Sequence, residues 1–169
     1  TVVLAGAILG RFKEAKFSYP GGCDIGARPI DLHLSAFKKL GVNITEDSGF
    51  IICKADKIIG TNIDLDFPSV GATENIILAS IYAEGITQIT NAAMEPEIVD
   101  LAKCLNKMGA KITGAGTNII KITGVQNSNI RASSKDFKTT SLPIPFKSPI
   151  EIPTIIFSAV LFMSSVFYY

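Results

Sequence analysis

Apolar and polar positions alternate in short helical and extended rhythms over the first 125 residues, and the remainder of the chain lacks a comparable pattern. Residues 2–12 are apolar at helical spacing and read as the end of a helix that stops among Gly10, Arg11 and Lys13. Residues 16–18 read as a short strand. Ile30, Leu34, Phe37 and Leu40 follow at spacings of four, three and three, so they share one helix face, with Lys38 and Lys39 turned away and Gly41 as the stop. Strands at 43–46 and 50–54 are joined by the turn Asp47-Ser48-Gly49.

Ile63 and Leu65 mark a further strand, after which Ser69 or Thr73 can cap a helix. That helix is expected at 74–83. Ile76, Ile77, Leu78, Ala79, Ile81 and Tyr82 leave it almost no polar face, so it should be central and surrounded by protein, ending at Gly85. Residues 87–90 read as a strand. Pro96 then opens an amphipathic helix with Ile98, Leu101, Ala102, Leu105 and Met108 on one face and Gly109 at its end. Strands at 111–113 and 118–122 close the segment, with Gly114-Ala115-Gly116 as a hairpin turn rather than a phosphate cradle.

Sliding the chain by 68 residues lays Gly41 over Gly109, Phe37 over Leu105, Lys39 over Lys107, Leu40 over Met108, Ile44 over Ile112 and Thr45 over Thr113. It also lays Ile51 over Ile119 and Ile52 over Ile120. This predicts an internal repeat of helix, glycine stop, strand, turn and strand, hence an α/β domain of pseudo-equivalent units around shared central helices. Beyond residue 125 the composition changes, because all 14 glycines lie at or before Gly124 while Pro143, Pro145, Pro149 and Pro153 crowd the tail. Two regions are expected: a domain with two repeat units over 1–125 and a divergent tail over 126–169. The uncharged run 154–169 is shorter than the roughly 20 residues a helix needs to cross a bilayer, so a membrane anchor is not expected. A tail from a frameshifted or truncated gene is expected instead, and the opening on Thr1 within an apolar run suggests a piece of a longer protein.

Composition narrows the function. The chain has 169 residues, 47% of them apolar and 18% charged, which suits a globular domain with a core. A net charge of +1 supplies no field to gather nucleic acid, so no nucleic-acid partner is expected and any anion must be held by a few placed groups. The three cysteines, Cys23, Cys53 and Cys104, are odd in number and far apart, and His33 is the single histidine. Neither a disulfide framework nor a metal site is expected, and a reducing, cytoplasmic setting fits best.

The chemistry concentrates at Tyr19-Pro20-Gly21-Gly22-Cys23-Asp24-Ile25-Gly26-Ala27-Arg28-Pro29-Ile30-Asp31-Leu32-His33. The glycines expect a solvent-reachable turn, which makes Cys23 a candidate nucleophile or proton donor, although a loop cysteine without a role has the same composition. Arg28 is a planar cation suited to phosphate or carboxylate, while Arg28 and Asp31 could equally be a helix start with an exposed ion pair. His33 reads as a structural hydrogen-bonding histidine. The segment Phe67 to Gly71 is either a tight helix entry or a set of backbone N–H groups for a nucleotide diphosphate or sugar.

The run from Pro20 to His33 closely resembles the cysteine-loop motif of the UDP-N-acetylglucosamine 1-carboxyvinyltransferases. Later blocks resemble the same enolpyruvyl transferase family in the same order: Asp66-Phe67-Pro68-Ser69-Val70-Gly71-Ala72-Thr73-Glu74-Asn75, Ala83-Glu84-Gly85, Asn91-Ala92-Ala93, Glu95-Pro96-Glu97-Ile98-Val99-Asp100-Leu101 and Gly109-Ala110-Lys111-Ile112. The resemblance implies an inside-out α/β fold, with two domains of three repeated units each around buried helices. It implies transfer of enolpyruvate from phosphoenolpyruvate to the 3-hydroxyl of UDP-N-acetylglucosamine without a cofactor or metal, the first committed step of peptidoglycan synthesis. Cys23 matches the thiol that protonates phosphoenolpyruvate, can form a phospholactoyl adduct and is alkylated by fosfomycin. Arg28 matches the arginine facing phosphate, and Arg28, Pro29, Ile30, Asp31, Leu32, Phe67, Pro68, Ser69 and Val70 match segments lining the UDP-sugar site.

Departures from that family define the alternative. Its amino-terminal lysine and asparagine, an arginine that would precede Thr1, the acid and arginines of its second domain, and the block following Val125 have no counterpart here. A closed site would need the missing second domain, so an inactive UDP-sugar-binding remnant stands as the alternative to a working transferase. The sister 5-enolpyruvylshikimate-3-phosphate synthases share fold and chemistry, but the Gly21-Gly22-Cys23 loop is not their signature.

Overall fold

A computed structural model of the chain describes residues 2–18 and 30–125. The cysteine loop at 19–29 and the tail at 126–169 lie outside the described residues, so the expectations for Cys23, Arg28, Pro29 and the tail are carried forward on sequence alone.

The chain opens with a 3-10 turn, Val2–Leu4, running into helix α1 (Ala5–Phe12), which stops where Lys13 takes a left-handed φ of 61°. Strand β1 (Glu14–Ser18) begins two residues earlier than its sequence pattern suggests, because Ala15 and Phe17 both turn into the core. Helix α2 (Asp31–Lys39) ends at Gly41, whose φ of 88° is the left-handed geometry that only glycine takes without strain. Its buried face is Leu32, His33, Ala36 and Phe37. Leu34, expected in that stripe, is only half-buried, since the face is rotated toward His33 by a polar contact inside the core.

Strands β2 (Asn43–Asp47) and β3 (Phe50–Lys54) form an antiparallel hairpin over Ser48 and Gly49, both at positive φ, the geometry that matches the twist of a two-residue hairpin. Strand β4 (Asn62–Asp64) leads to helix α3 (Val70–Ser80). The expected span of 74–83 is corrected at both ends. Ser69 caps the helix from Val70 onward, and the chain turns at Ile81 before reaching Gly85. Strand β5 (Ile86–Thr90), helix α4 (Pro96–Lys107) and strands β6 (Lys111–Thr113) and β7 (Ile119–Thr123) complete the described chain, with Ile98, Leu101, Ala102, Leu105 and Met108 all buried.

The strands make two sheets. One has the order β1-β3-β2 and is antiparallel throughout; the other has the order β4-β5-β7-β6, with β4 parallel to β5 and the remaining pairs antiparallel. The succession helix, strand, helix, strand, strand thus runs twice, from α1 to β3 and from α3 to β7. Register refines the sequence alignment of the halves. Ile44 pairs with Cys53 where Ile112 pairs with Ile122, so the buried residues Ile51 and Cys53 correspond to Ile120 and Ile122. The matches of Ile51 with Ile119 and Ile52 with Ile120 are therefore displaced by one residue. The longer loop between β6 and β7 adds that residue, and a one-residue slip exchanges the faces of a strand.

Helix α3 is the centre. Residues 72–80 are all buried, and the 3-10 turn, α1, α2, α4 and β7 all pack against it. Contact with α1 is close because Gly6 and Gly10 face it: a Cβ on Gly6 would lie 2.2 Å from the backbone oxygen of Asn75, and one on Gly10 2.9 Å from that of Leu78. No other residue type fits at Gly6.

Candidate substrate site

Three helix amino ends are neighbours on one side of the fold. The first turn of α2 carries Asp31, Leu32 and His33; Asp31 is exposed, Leu32 and His33 are buried, and Ile30 before them is buried as well. The His33 ring lies against the first turn of α3, with its Cε1 3.5 Å from where a Cβ on Gly71 would stand. The first turn of α3 is tied in turn to the entry of α4, where the Ala93 N–H donates to Thr73 Oγ1 at 3.1 Å.

Ser69, with extended backbone, is the N-cap of α3 and accepts from the Ala72 N–H at 3.4 Å. Thr73, the other expected cap, instead holds the α4 entry. Phe67 and Pro68 before the cap are exposed, Val70 is half-buried, and Gly71 presents bare backbone. The result is an accessible helix amino end with partial positive charge, where the Val70 and Gly71 N–H groups have no acceptor among the described residues, a geometry that receives phosphate or carboxylate oxygens. Of the sequence-predicted residues, Ile30, Asp31, Leu32, Phe67, Pro68, Ser69 and Val70 fall at the amino ends of α2 and α3, which adjoin each other. Cys23, Arg28 and Pro29 belong to the segment joining β1 to α2, outside the described residues.

A polar knot beneath this surface fixes the two helix ends. Asn75, fully buried, accepts from the Gly6 N–H at 2.7 Å and donates through Nδ2 to the Val2 carbonyl at 2.8 Å and to His33 Nδ1 at 2.8 Å. An amide nitrogen can only donate, so His33 Nδ1 carries no proton and the ring is the neutral Nε2–H tautomer. Burial agrees, pushing the imidazole below its ordinary range. The sequence reading of His33 as a hydrogen-bonding histidine meets its partner here. Asn75 and Glu74 were hidden in a run otherwise so apolar that its polar members carried no periodic signal.

Glu74 is the electrostatic oddity of the site. Its Oε2 is buried with no hydrogen-bond partner among the described residues, and burial, reinforced by Glu97, raises its carboxyl to about 7. Cys53, within β3, is inert by contrast: burial lifts its thiol to about 11. Among the described residues no group of three or more His, Cys, Asp or Glu could hold a metal, and no helix is long and apolar enough to cross a membrane.

Comparison with known proteins places this geometry. Residues 2–136 match the sequence model of the EPSP synthase (3-phosphoshikimate 1-carboxyvinyltransferase) family. The chain is 61% identical over 126 residues to UDP-N-acetylglucosamine 1-carboxyvinyltransferase 2 of Caldanaerobacter subterraneus subsp. tengcongensis, covering 75% of this chain and 30% of the relative. It is 56% identical over 123 residues to the UDP-N-acetylglucosamine 1-carboxyvinyltransferase of Clostridium botulinum, covering 73% and 30% respectively. In fold it is similar to the enolpyruvyl transferase NikO from Streptomyces tendae, with a TM-score of 0.62 at 23% identity over 74% of this chain and 30% of that one. An EPSP synthase from Acinetobacter baumannii is similar with a TM-score of 0.58 at 22% identity, over 74% and 28%. The chain spans about 30% of the length of the curated relatives it matches. With its α/β units, its paired sheets and its matched sequence, the chain belongs to the EPSP synthase family of enolpyruvyl transferases.

Proposed function

We propose that this chain is part of a UDP-N-acetylglucosamine 1-carboxyvinyltransferase, and that the amino ends of α2 and α3 form its UDP-sugar half-site. In the reaction, the sugar 3-hydroxyl adds to C2 of phosphoenolpyruvate while a proton is delivered to the methylene carbon. Loss of a proton from that carbon and of inorganic phosphate from C2 then restores the double bond. Cys23 is the proton donor to the methylene, and Arg28 faces the phosphate. Asp31, with Pro29, Ile30 and Leu32, borders the sugar nucleotide from α2, while Phe67, Pro68, Ser69 and Val70 border it from α3, where free N–H groups take diphosphate oxygens.

The observation that carries the reading is the 56–61% identity, over about three quarters of the chain, to relatives bearing this activity in their names. Because the chain covers about 30% of those relatives, the half-site binds the nucleotide and presents the thiol, and turnover requires the remainder of the enzyme. Intact-mass spectrometry with fosfomycin tests it. The Cys23 thiolate would open the epoxide, forming a C–S bond as a C–O bond breaks and the alkoxide takes a proton. One adduct of full fosfomycin mass is expected, promoted by UDP-N-acetylglucosamine and absent in Cys23→Ala. An adduct that persists in Cys23→Ala, or that UDP-N-acetylglucosamine does not promote, would contradict it.

A further inference from the structure

Helix α3 carries Glu74 just past its first turn, and α4 carries Glu97 in its first turn. Glu74 is 5% exposed, and its Oε2 is sealed from solvent with no hydrogen-bond partner among the described residues. The charged group acting on it is Glu97, in the first turn of α4. The two turns are held in place by the Ala93 N–H bond to Thr73, the residue before Glu74.

Among the described residues, the other elements packed on α3 bring no cation to Glu74. The turn Val2–Leu4 has no titratable side chain. On α1, Arg11 acts on Tyr82, past the opposite end of α3, and Lys13 just after α1 bonds the Gly10 carbonyl and feels Glu84. On α2, the neutral His33 is engaged by Asn75. On β7, Lys121 is exposed. A buried carboxylate with neither cation nor hydrogen-bond donor among the described residues is strongly disfavoured, and it settles by keeping its proton.

We propose that Glu74, just past the first turn of α3, is a one-proton site that joins α3 to the entry of α4 while the proton is held and loosens that junction when it is lost to solvent. No other bond changes: the acid ionises, the proton passes to water, and a buried carboxylate without a partner among the described residues remains. The shift of Glu74 from 4.5 to about 7 places this change near neutrality. Since the folded value lies above the unfolded one, the native state binds the extra proton between those limits. Its contribution is complete below pH 4.5 and disappears as pH rises through about 7.

The first turn of α3 also carries the N–H groups assigned above to the sugar nucleotide, so ionised Glu74 would oppose an anion there; this consequence alone rests on that assignment. The site itself is tested without ligand, so the two readings fail separately. Carbon-13 NMR titration of the side-chain carboxyls of the whole chain should give Glu74 a midpoint near 7, moved down in Glu97→Gln. Hydrogen exchange of Ile98 and Leu101 in α4, corrected for intrinsic rate, should accelerate several-fold from pH 6 to pH 8 in the native sequence and stay flat in Glu74→Gln. A Glu74 midpoint in the ordinary carboxylate range, or equal acceleration in both proteins, would overturn the proposal. Should Glu74→Gln not fold, the native and Glu97→Gln titrations decide it alone.

Discussion

Replacing Asn75 by alanine should remove a bond set that links the start of the chain, α1, α2 and α3 beneath the candidate site. Three buried groups lose their partner together: the Gly6 N–H, the Val2 carbonyl and His33 Nδ1, each now within 2.7–2.8 Å of the amide. The Gly6 N–H belongs to the first turn of α1, where no intrahelical acceptor exists and Leu4 provides no side-chain cap, so Asn75 caps that helix from another element. An unsatisfied buried group costs about 1–3 kcal/mol. Val2 and His33 keep a little solvent exposure, 9% and 8%, and recover part of that from water, so the sum is about 3–5 kcal/mol. That is a large part of the 5–15 kcal/mol typical of a domain.

Urea unfolding of the chain followed by far-ultraviolet circular dichroism reads this directly, and His33→Ala, which frees one Asn75 donor only, should cost less. Asn75→Asp separates hydrogen bonding from size. It keeps the acceptor for Gly6, sets an oxygen against the Val2 carbonyl, and lets His33 take a proton on Nδ1, so its loss should shrink as pH falls below neutrality. A cost under about 1 kcal/mol for Asn75→Ala would refute the view that this amide holds the helix ends together.

Other expectations follow from close geometry. Gly6→Ala should destabilise by about 3 kcal/mol or more, because its Cβ meets a backbone oxygen at 2.2 Å, whereas Gly71→Ala, with its nearest neighbour at 3.5 Å, should cost less than about 1 kcal/mol; paired melting curves check both. Ser69→Ala should lose about 0.5–1 kcal/mol in the same assay, the lower part of the N-cap range, given a 3.4 Å bond. Cys53, buried and raised to about 11, should resist iodoacetamide at pH 7.5 in the folded chain and react once urea unfolds it, as peptide mapping would show.

How far the sequence reaches depends on the kind of signal. Helix α4 is legible because Ile98, Leu101, Ala102, Leu105 and Met108 repeat at helical spacing between a proline and a glycine. The hairpin at Ser48 and Gly49 is legible from turn chemistry. Helix α3 shows its central position through apolarity, yet that same uniformity hides its start at Val70 and the roles of Glu74 and Asn75, which emerge only when α1, α2 and α4 are packed around it. The repeat is visible as matched residues, but its last strand is offset because loop length between β6 and β7 is invisible to an ungapped comparison. At the site, motif resemblance names Ile30, Asp31, Leu32 and Phe67 to Val70; their adjacency comes from His33 lying against Gly71, a contact across 38 positions that no local pattern encodes.

Everything proposed for the site rests on the amino ends of α2 and α3 binding a UDP-sugar. The most direct measurement is an amide NMR titration of the chain with UDP-N-acetylglucosamine, repeated with Gly71→Ala. Saturable shifts are expected, centred on the N–H groups of Val70 and Gly71 and on Asp31 to His33, with affinity reduced about tenfold in Gly71→Ala while the fold is kept. Shifts confined to other surfaces, or no saturable change at millimolar ligand, would contradict it.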